Sequence, residues 1–264
     1  MNRIEQKFRE LKKKNKKAFI AFITAGFPNF EVTKRLVLEL EASGVDIIEL
    51  GVPFSDPLAD GPVIQKSSQL SIDAGATLNK ILDLVKSLRK QTQIPICLMS
   101  YYNVIFCFGK KRFLNLSRSC GVDGIIIPDL PPEEDNDFVL NCRRYNIASV
   151  FFLSPTTSIK RISLINKFSR GFIYYVSLTG ITGTREKLPL GLTQNLRVIK
   201  RHTDKPVCVG FGVSRPEQIR EILSIADGVI VGSAIVKKIQ ENLGKPDLVK
   251  IVGRFTKYLS IAKQ

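Results

Sequence analysis

A single histidine, five scattered cysteines and no tryptophan narrow the chemistry open to this 264-residue chain. Catalytic triads need an imidazole beside a nucleophile. The only histidine, His202, lies among Lys200, Arg201 and Asp204 at the end of a predicted helix, which is a solvated setting. Cys97, Cys107, Cys120, Cys142 and Cys208 include no Cys-x-x-Cys pair. With one histidine to join them they match no zinc-site spacing, so no metal is expected and they read as buried thiols in a reducing compartment. Walker loops and dinucleotide fingerprints are missing too, which argues against nucleotide cofactors. Nowhere do 18 uncharged apolar residues run together, so no membrane span is expected. Lys12-Lys13-Lys14 and Lys16-Lys17 before Ala18 to Phe27 imitate a signal peptide, but the apolar run has the length of a strand and its turn and lacks a small-residue cleavage site. The expected location is the cytoplasm or the soluble interior of an organelle.

Forty Lys and Arg against 24 Asp and Glu leave a net charge of +16, which favours anionic partners. Nucleic acid is not expected among them, because the cations are spread over most of the predicted helices and no aromatics are interleaved as stacking platforms. The lysines at 12 to 17 suit the solvated C-terminal end of a first helix.

Short apolar runs recur at Ala18 to Thr24, Asp46 to Leu50, Ile94 to Met99, Gly124 to Ile127, Ala148 to Leu153, Phe172 to Ser177, Val207 to Val209 and Gly228 to Val231. Helical patterns separate them, at Val32 to Ala42, Leu78 to Leu88, Arg112 to Cys120, Asp135 to Asn146, Ile159 to Phe168 and Pro216 to Ile225. Alternation of this kind predicts β-α units around a parallel sheet. Ser43-Gly44-Val45-Asp46, Cys120-Gly121-Val122-Asp123-Gly124 and Ile225-Ala226-Asp227-Gly228 repeat one helix stop and turn before three of the strands. An open doubly wound sheet would also alternate. Eight units in this length, with 44% apolar residues and no linker to cut, favour an α/β fold of the closed (β/α)8 TIM-barrel type. It carries an extra N-terminal helix and is read as one domain over residues 1–264.

Barrel chemistry sits at the carboxyl ends of the strands. Glu49 ends an apolar run, where desolvation should raise its proton affinity. Asp60 follows a Pro- and Asp-rich stretch and precedes Gly61, a turn composition expected to leave it wet and ionised near neutral pH. Two carboxyls in such unlike settings form an acid and base pair. The alternative for Glu49 is a helix cap or an arginine partner. Gly210-Phe211-Gly212-Val213-Ser214 and Gly232-Ser233 offer backbone amides and a helix start to a phosphate, although Gly-x-Gly alone is equally a tight turn.

Ile48 to Gly61 resembles the signature of the tryptophan synthase α subunit family over its full length. The resemblance extends through Ser100-Tyr101-Tyr102-Asn103, Pro128-Asp129-Leu130-Pro131, Gly180-Ile181-Thr182-Gly183, Gly210-Phe211-Gly212-Val213 and Gly232-Ser233. It implies a lyase of tryptophan biosynthesis that cleaves indole-3-glycerol phosphate to indole and glyceraldehyde 3-phosphate. In that reading Glu49 moves the protons and Asp60 stabilises the indole nitrogen. Phe22, Ile64, Met99 and Phe211 surround the indole, and Gly212, Gly232 and Ser233 hold the phosphate. Tyr174 matches a family tyrosine near the carboxyl pair, with core packing as its alternative. Thr182 and Gly183 belong to a closing loop, in which Leu178 stands near the family's usual arginine. No cofactor is implied in this chain, and pyridoxal phosphate is expected only in a β subunit joined to it in an αββα heterotetramer. The alternatives are a free-standing lyase and a basic, non-catalytic barrel that binds acidic partners.

Overall fold

The computed structural model describes residues 2–176, 191–210 and 212–263. The chain begins with α1 (Arg3–Lys13), β1 (Ala18–Thr24), α2 (Phe30–Ala42), β2 (Ile47–Gly51), α3 (Pro62–Asp73), α4 (Leu78–Leu88) and β3 (Ile96–Met99). There follow α5 (Tyr102–Phe108), α6 (Lys110–Cys120), β4 (Gly124–Ile126), α7 (Asn136–Arg144), β5 (Ala148–Val150), β6 (Phe152–Leu153), α8 (Ile159–Phe168) and β7 (Ile173–Val176). The last part carries α9 (Leu192–Arg201), β8 (Val207–Gly210), α10 (Pro216–Leu223), β9 (Gly228–Val231), α11 (Ser233–Gln240) and α12 (Leu248–Ser260). No helix among the described residues is long and apolar enough to cross a membrane.

Nine parallel strands pair in the order β5-β4-β3-β2-β1-β9-β8-β7-β6. The two ends of that list belong to one stretch of chain, the expected run Ala148 to Leu153, divided at Phe151. Main-chain bonds cross the division, from Arg170 N to Ser149 O at 2.8 Å and from Tyr174 N to Phe151 O at 3.0 Å. The sheet is therefore a barrel of the predicted kind, its fifth strand interrupted rather than continuous. The first-turn helices α3 and α5, at the mouth, add to the helical patterns read from the sequence.

Successive strand residues enter two different apolar cores. Phe19, Ala21, Ile23, Ile48, Leu50, Ile96 and Leu98 point outward beneath the helices, whereas Ala18, Ile20, Ile47, Cys97, Ile126, Tyr174, Cys208 and Ile230 fill the interior. A strand buried on both faces has no polar alternation to show, which is why these runs read as continuous apolar stretches. Helix α1 closes the lower end by inserting Ile4, Phe8 and Leu11 into the interior core. Side chains at Gly124 and Gly171 would lie 2.8 and 3.0 Å from Ile4, so glycine is required beneath it. The Asn2 amide fixes the helix start by donating to Asp123 O at 2.6 Å and Asn146 O at 2.8 Å.

The repeated aspartates share one job at this lower rim. Asp46, Asp123 and Asp227 each donate an amide to, and accept with a carboxylate from, one residue of the neighbouring strand. The distances are 2.8 and 2.8 Å for Phe19, 2.9 and 2.9 Å for Ile96, and 2.9 and 3.0 Å for Val207. Cations complete each carboxylate: Lys263 at 2.6 Å on Asp46, Arg89 and Arg3 at 2.7 and 2.9 Å on Asp123, and Lys200 and Lys17 at 2.8 and 3.5 Å on Asp227. Such charge-assisted bonds replace ladder partners that a parallel sheet loses at its rim. Four cysteines are buried as expected, but Cys107 is exposed on the mouth helix α5. His202 is half-buried, with Nδ1 2.9 Å from Val198 O at the end of α9.

Removing the plug side chain should be felt throughout the barrel. Ile4→Ala is expected to lower unfolding free energy by about 2–5 kcal/mol, whereas Lys12→Ala, on the solvent side of the same helix, should stay within about 0.5 kcal/mol of wild type. Urea denaturation of the two variants checks the contrast.

Candidate active site

Alternation along β2 sends Glu49 into the barrel, in register with Phe22 of β1 and Cys97 of β3. It is fully buried, and neither carboxyl oxygen has a hydrogen-bond partner among the described residues. The helix cap and the arginine partner are not found there. Burial alone pushes the carboxyl up to about 8, so at neutral pH it holds its proton.

Asp60 departs from expectation. It is 6% exposed rather than wet, and burial pushes it up to about 6, against the lowering effect of a hydrogen bond from Tyr101. The Tyr101 hydroxyl donates to Asp60 Oδ2 at 3.1 Å and accepts from Ala59 N at 3.0 Å. Its ring stacks on Phe54 with centroids 5.3 Å apart. Turn composition near Asp60 predicts solvent, but a tyrosine from the next strand end lies over the turn. The carboxylate still ionises below neutral pH, so the expected division between a protonated and an ionised carboxyl is retained.

A cavity of about 360 Å³ opens at the carboxyl ends of the strands, bordered by Phe22, Asp60, Ile64, Met99, Tyr174, Gly212, Gly232 and Ser233. All eight are among the candidate residues read from the sequence. Glu49 does not border it. Thr182, Gly183, Phe211 and Leu178 fall outside the described residues. Burial first, then the charges of Glu49 and Asp60, raises the Tyr174 phenol well above its usual range, which places this ring within electrostatic reach of both carboxyls. Three glycines make room for the aromatic walls. A Cβ at Gly51 would lie 2.4 Å from the Phe22 ring, one at Gly210 would lie 2.4 Å from the Tyr174 hydroxyl, and one at Gly232 would lie 3.3 Å from Phe22 Cβ. Gly212 has φ +71°, in the left-handed region that favours glycine.

Phe152, Thr157 and Ile230, which the sequence reading missed, also line the cavity, as does Ser154. Phe152 packs on Tyr174 with centroids 4.8 Å apart, and the hydroxyls of Ser154 and Thr157 are 3.1 Å apart at the mouth. Gly232 caps α11 without a side chain, so the first amides of that helix border the cavity as an anion site requires. Among the described residues no group of three His, Cys, Asp or Glu side chains could hold a metal.

With this geometry in view, comparison with known proteins gives one consistent result. A family profile described as tryptophan synthase alpha chain matches residues 8–256. The tryptophan synthase alpha chain of Geotalea uraniireducens is 50% identical over 244 residues, covering 92% of this chain and 91% of its own. The crystal structure of tryptophan synthase subunit alpha from Legionella pneumophila superposes with a TM-score of 0.92 at 37% identity, over 99% of this chain and 98% of that one. A chain of the Mycobacterium tuberculosis tryptophan synthase structure gives 0.91 at 29% identity, over 99% and 98%.

Burial of Glu49 has a consequence for stability. A carboxyl whose folded value is raised from 4.5 to about 8 contributes its stability fully below pH 4.5 and loses it as pH rises through 8. Glu49→Gln removes that loss. The variant should match wild type in urea unfolding near the acid end of this window and exceed it above pH 8 by on the order of a few kcal/mol. An equal pH dependence in the two proteins would contradict a neutral, buried Glu49.

Proposed function

The chain belongs to the tryptophan synthase alpha chain family, and from that premise we propose that Glu49 and Asp60 divide the cleavage of indole-3-glycerol phosphate between them. The family is one of lyases in tryptophan biosynthesis, releasing indole and glyceraldehyde 3-phosphate. The observation that carries the division is a pair of carboxyls in one barrel, Glu49 buried on the inner face of β2 and Asp60 on the cavity, pushed to about 8 and about 6, on either side of neutrality.

At pH 7 protonated Glu49 delivers its proton to the ring carbon that bears the glycerol chain. The indole nitrogen becomes cationic, and ionised Asp60 stabilises that charge. Glu49, now a carboxylate, takes the proton of the adjacent hydroxyl. The carbon–carbon bond breaks, its electrons return to the ring, and the former alcohol becomes the aldehyde of the triose phosphate. Glu49 ends protonated, as it began. Phe22, Ile64, Met99, Phe152 and Tyr174 supply apolar walls of a size and chemistry suited to indole. Amides at Gly212, Gly232 and Ser233 suit the phosphate. Thr182, Gly183 and Phe211 remain assigned to the same site by resemblance.

The alpha chain uses no cofactor of its own, and pyridoxal phosphate resides in the β subunit with which family members form the complex. We place the β subunit on the loop after β2, where Leu58 exposes 88% of its surface beside half-buried Phe54 and Pro57. We assign the protein to the cytoplasm or a comparable reducing interior, in keeping with five cysteines that are all free thiols.

Two measurements test this reading. Plotted against pH, kcat/KM for indole release should rise as Asp60 ionises through about 6 and fall as Glu49 loses its proton near 8. Glu49→Gln should lower the maximum by roughly 10²–10⁴-fold, and a variant keeping more than about a tenth of wild-type turnover would remove Glu49 from its role. A cognate β subunit should accelerate indole release by about 5–150-fold, whereas a free-standing lyase would run at its full rate alone.

A further inference from the structure

Tyr101 occupies a place that the carboxyl mechanism does not use. It ends the third barrel strand as the N-cap of α5 and is 5% exposed. Both its neighbours are anchored to the next unit, Ser100 N on Ile126 O at 3.0 Å and Tyr102 N on Asp129 Oδ1 at 2.9 Å. From this fixed base the side chain reaches back to the loop after β2 and holds it at two points. The ring stacks on Phe54, and the hydroxyl takes the Ala59 amide hydrogen while donating to Asp60. Between those two points lie Ser55, Asp56 and Leu58, the exposed part of the loop.

We propose that Tyr101 is a positioning residue of the lyase: its phenol clips Asp60 to the exposed loop, so that carboxylate and loop take one position together. This rests on the reading of Asp60 as the group that stabilises the cationic ring nitrogen. One hydroxyl that accepts from the loop and donates to the carboxylate is satisfied only when both are in place, so a displaced loop leaves a buried carboxylate without its donor. A protein pressing on Leu58 would therefore act on Asp60 through a single side chain. Burial and the neighbouring charges of Asp60 and Asp129 hold the phenol well above the ordinary tyrosine range, so it remains a donor wherever the enzyme works. The titratable groups near Asp60 are Tyr101, which bonds it, and Tyr174 on the same cavity, with Asp129 acting on Tyr101 in turn.

Tyr101→Phe keeps the ring on Phe54 and deletes only the hydroxyl. Assayed as the full chain with and without a β subunit, it should lose about tenfold or more in kcat at pH 7 with KM changed by no more than about twofold. The acid limb of its pH profile should move to higher pH, because the donor that favours the ionised carboxylate is gone. Phe54→Leu spares the hydroxyl and should leave that limb in place while reducing acceleration by the β subunit. A role confined to packing would change the melting temperature of Tyr101→Phe and leave its acid limb and kcat at wild-type values, and that result overturns the proposal. Asp60→Asn separates the two claims. If it keeps wild-type turnover, the reading of Asp60 fails and the clip fails with it; if it abolishes turnover while Tyr101→Phe is silent, the clip alone fails.

Discussion

Desolvation of one carboxyl group organises the chemistry of this barrel. On the inner face of a closed parallel sheet main-chain donors are taken up by the ladders, and the side chains that fill this interior are mostly apolar. Glu49 is placed there with neither oxygen hydrogen-bonded among the described residues. Nothing but its own proton can compensate such a group, so it stays neutral at a pH where an exposed glutamate would be ionised. The condition is architectural rather than local. It requires the barrel to close across the break at Phe151 and the lower end to be sealed by Ile4, Phe8 and Leu11. An open sheet would admit water to the same residue and return it to an ordinary carboxylate.

Asp60 shows the same force with a counterweight. It is nearly as buried, but the Tyr101 hydroxyl supplies a donor to the charged form, and the carboxyl settles near 6 rather than 8. The two groups thus differ in depth first and, second, in the one hydrogen bond that Asp60 receives. Space near them is set by backbone rather than by side chains. Phe22 and Tyr174 lie where Gly51 and Gly210 have no Cβ, so the aromatic walls reach the inner strands without pushing them apart.

Legibility in the sequence follows from the range of the interactions involved. The strand runs were readable because burial on both faces leaves no polar interruption, and Glu49 was conspicuous for breaking that rule. The repeated aspartates were visible as a pattern before their geometry gave them a purpose as rim partners of Phe19, Ile96 and Val207. Burial of Asp60 was not readable, because the turn around it has the composition of a solvated loop while the residue that covers it lies 41 positions away. The division of the fifth strand was also hidden, since Phe151 is as apolar as its neighbours and only ring closure distinguishes it. Phe152 and Thr157 then line the cavity from a segment with no motif to mark it.

The net charge of +16 bears on the same balance. A lysine or arginine within a few ångströms of Glu49 or Asp60 would favour their ionised forms and remove the proton that Glu49 holds at neutral pH. Among the described residues no salt bridge involves either group. The carboxylates that do hold cations include the three rim aspartates at the opposite end of the barrel, where Lys263, Arg3, Arg89, Lys17 and Lys200 converge. Screening limits direct charge effects to roughly 8–10 Å at physiological salt, so cations gathered at the lower rim leave Glu49 to burial and Asp60 to burial and the Tyr101 hydrogen bond. The excess positive charge acts instead at long range, where it raises the local concentration of an anionic substrate. In the proposed site a phosphorylated substrate is attracted by the protein as a whole and met by uncharged amides at Gly212, Gly232 and Ser233, an arrangement that hydrogen-bonds the phosphate without placing a cation beside the acid.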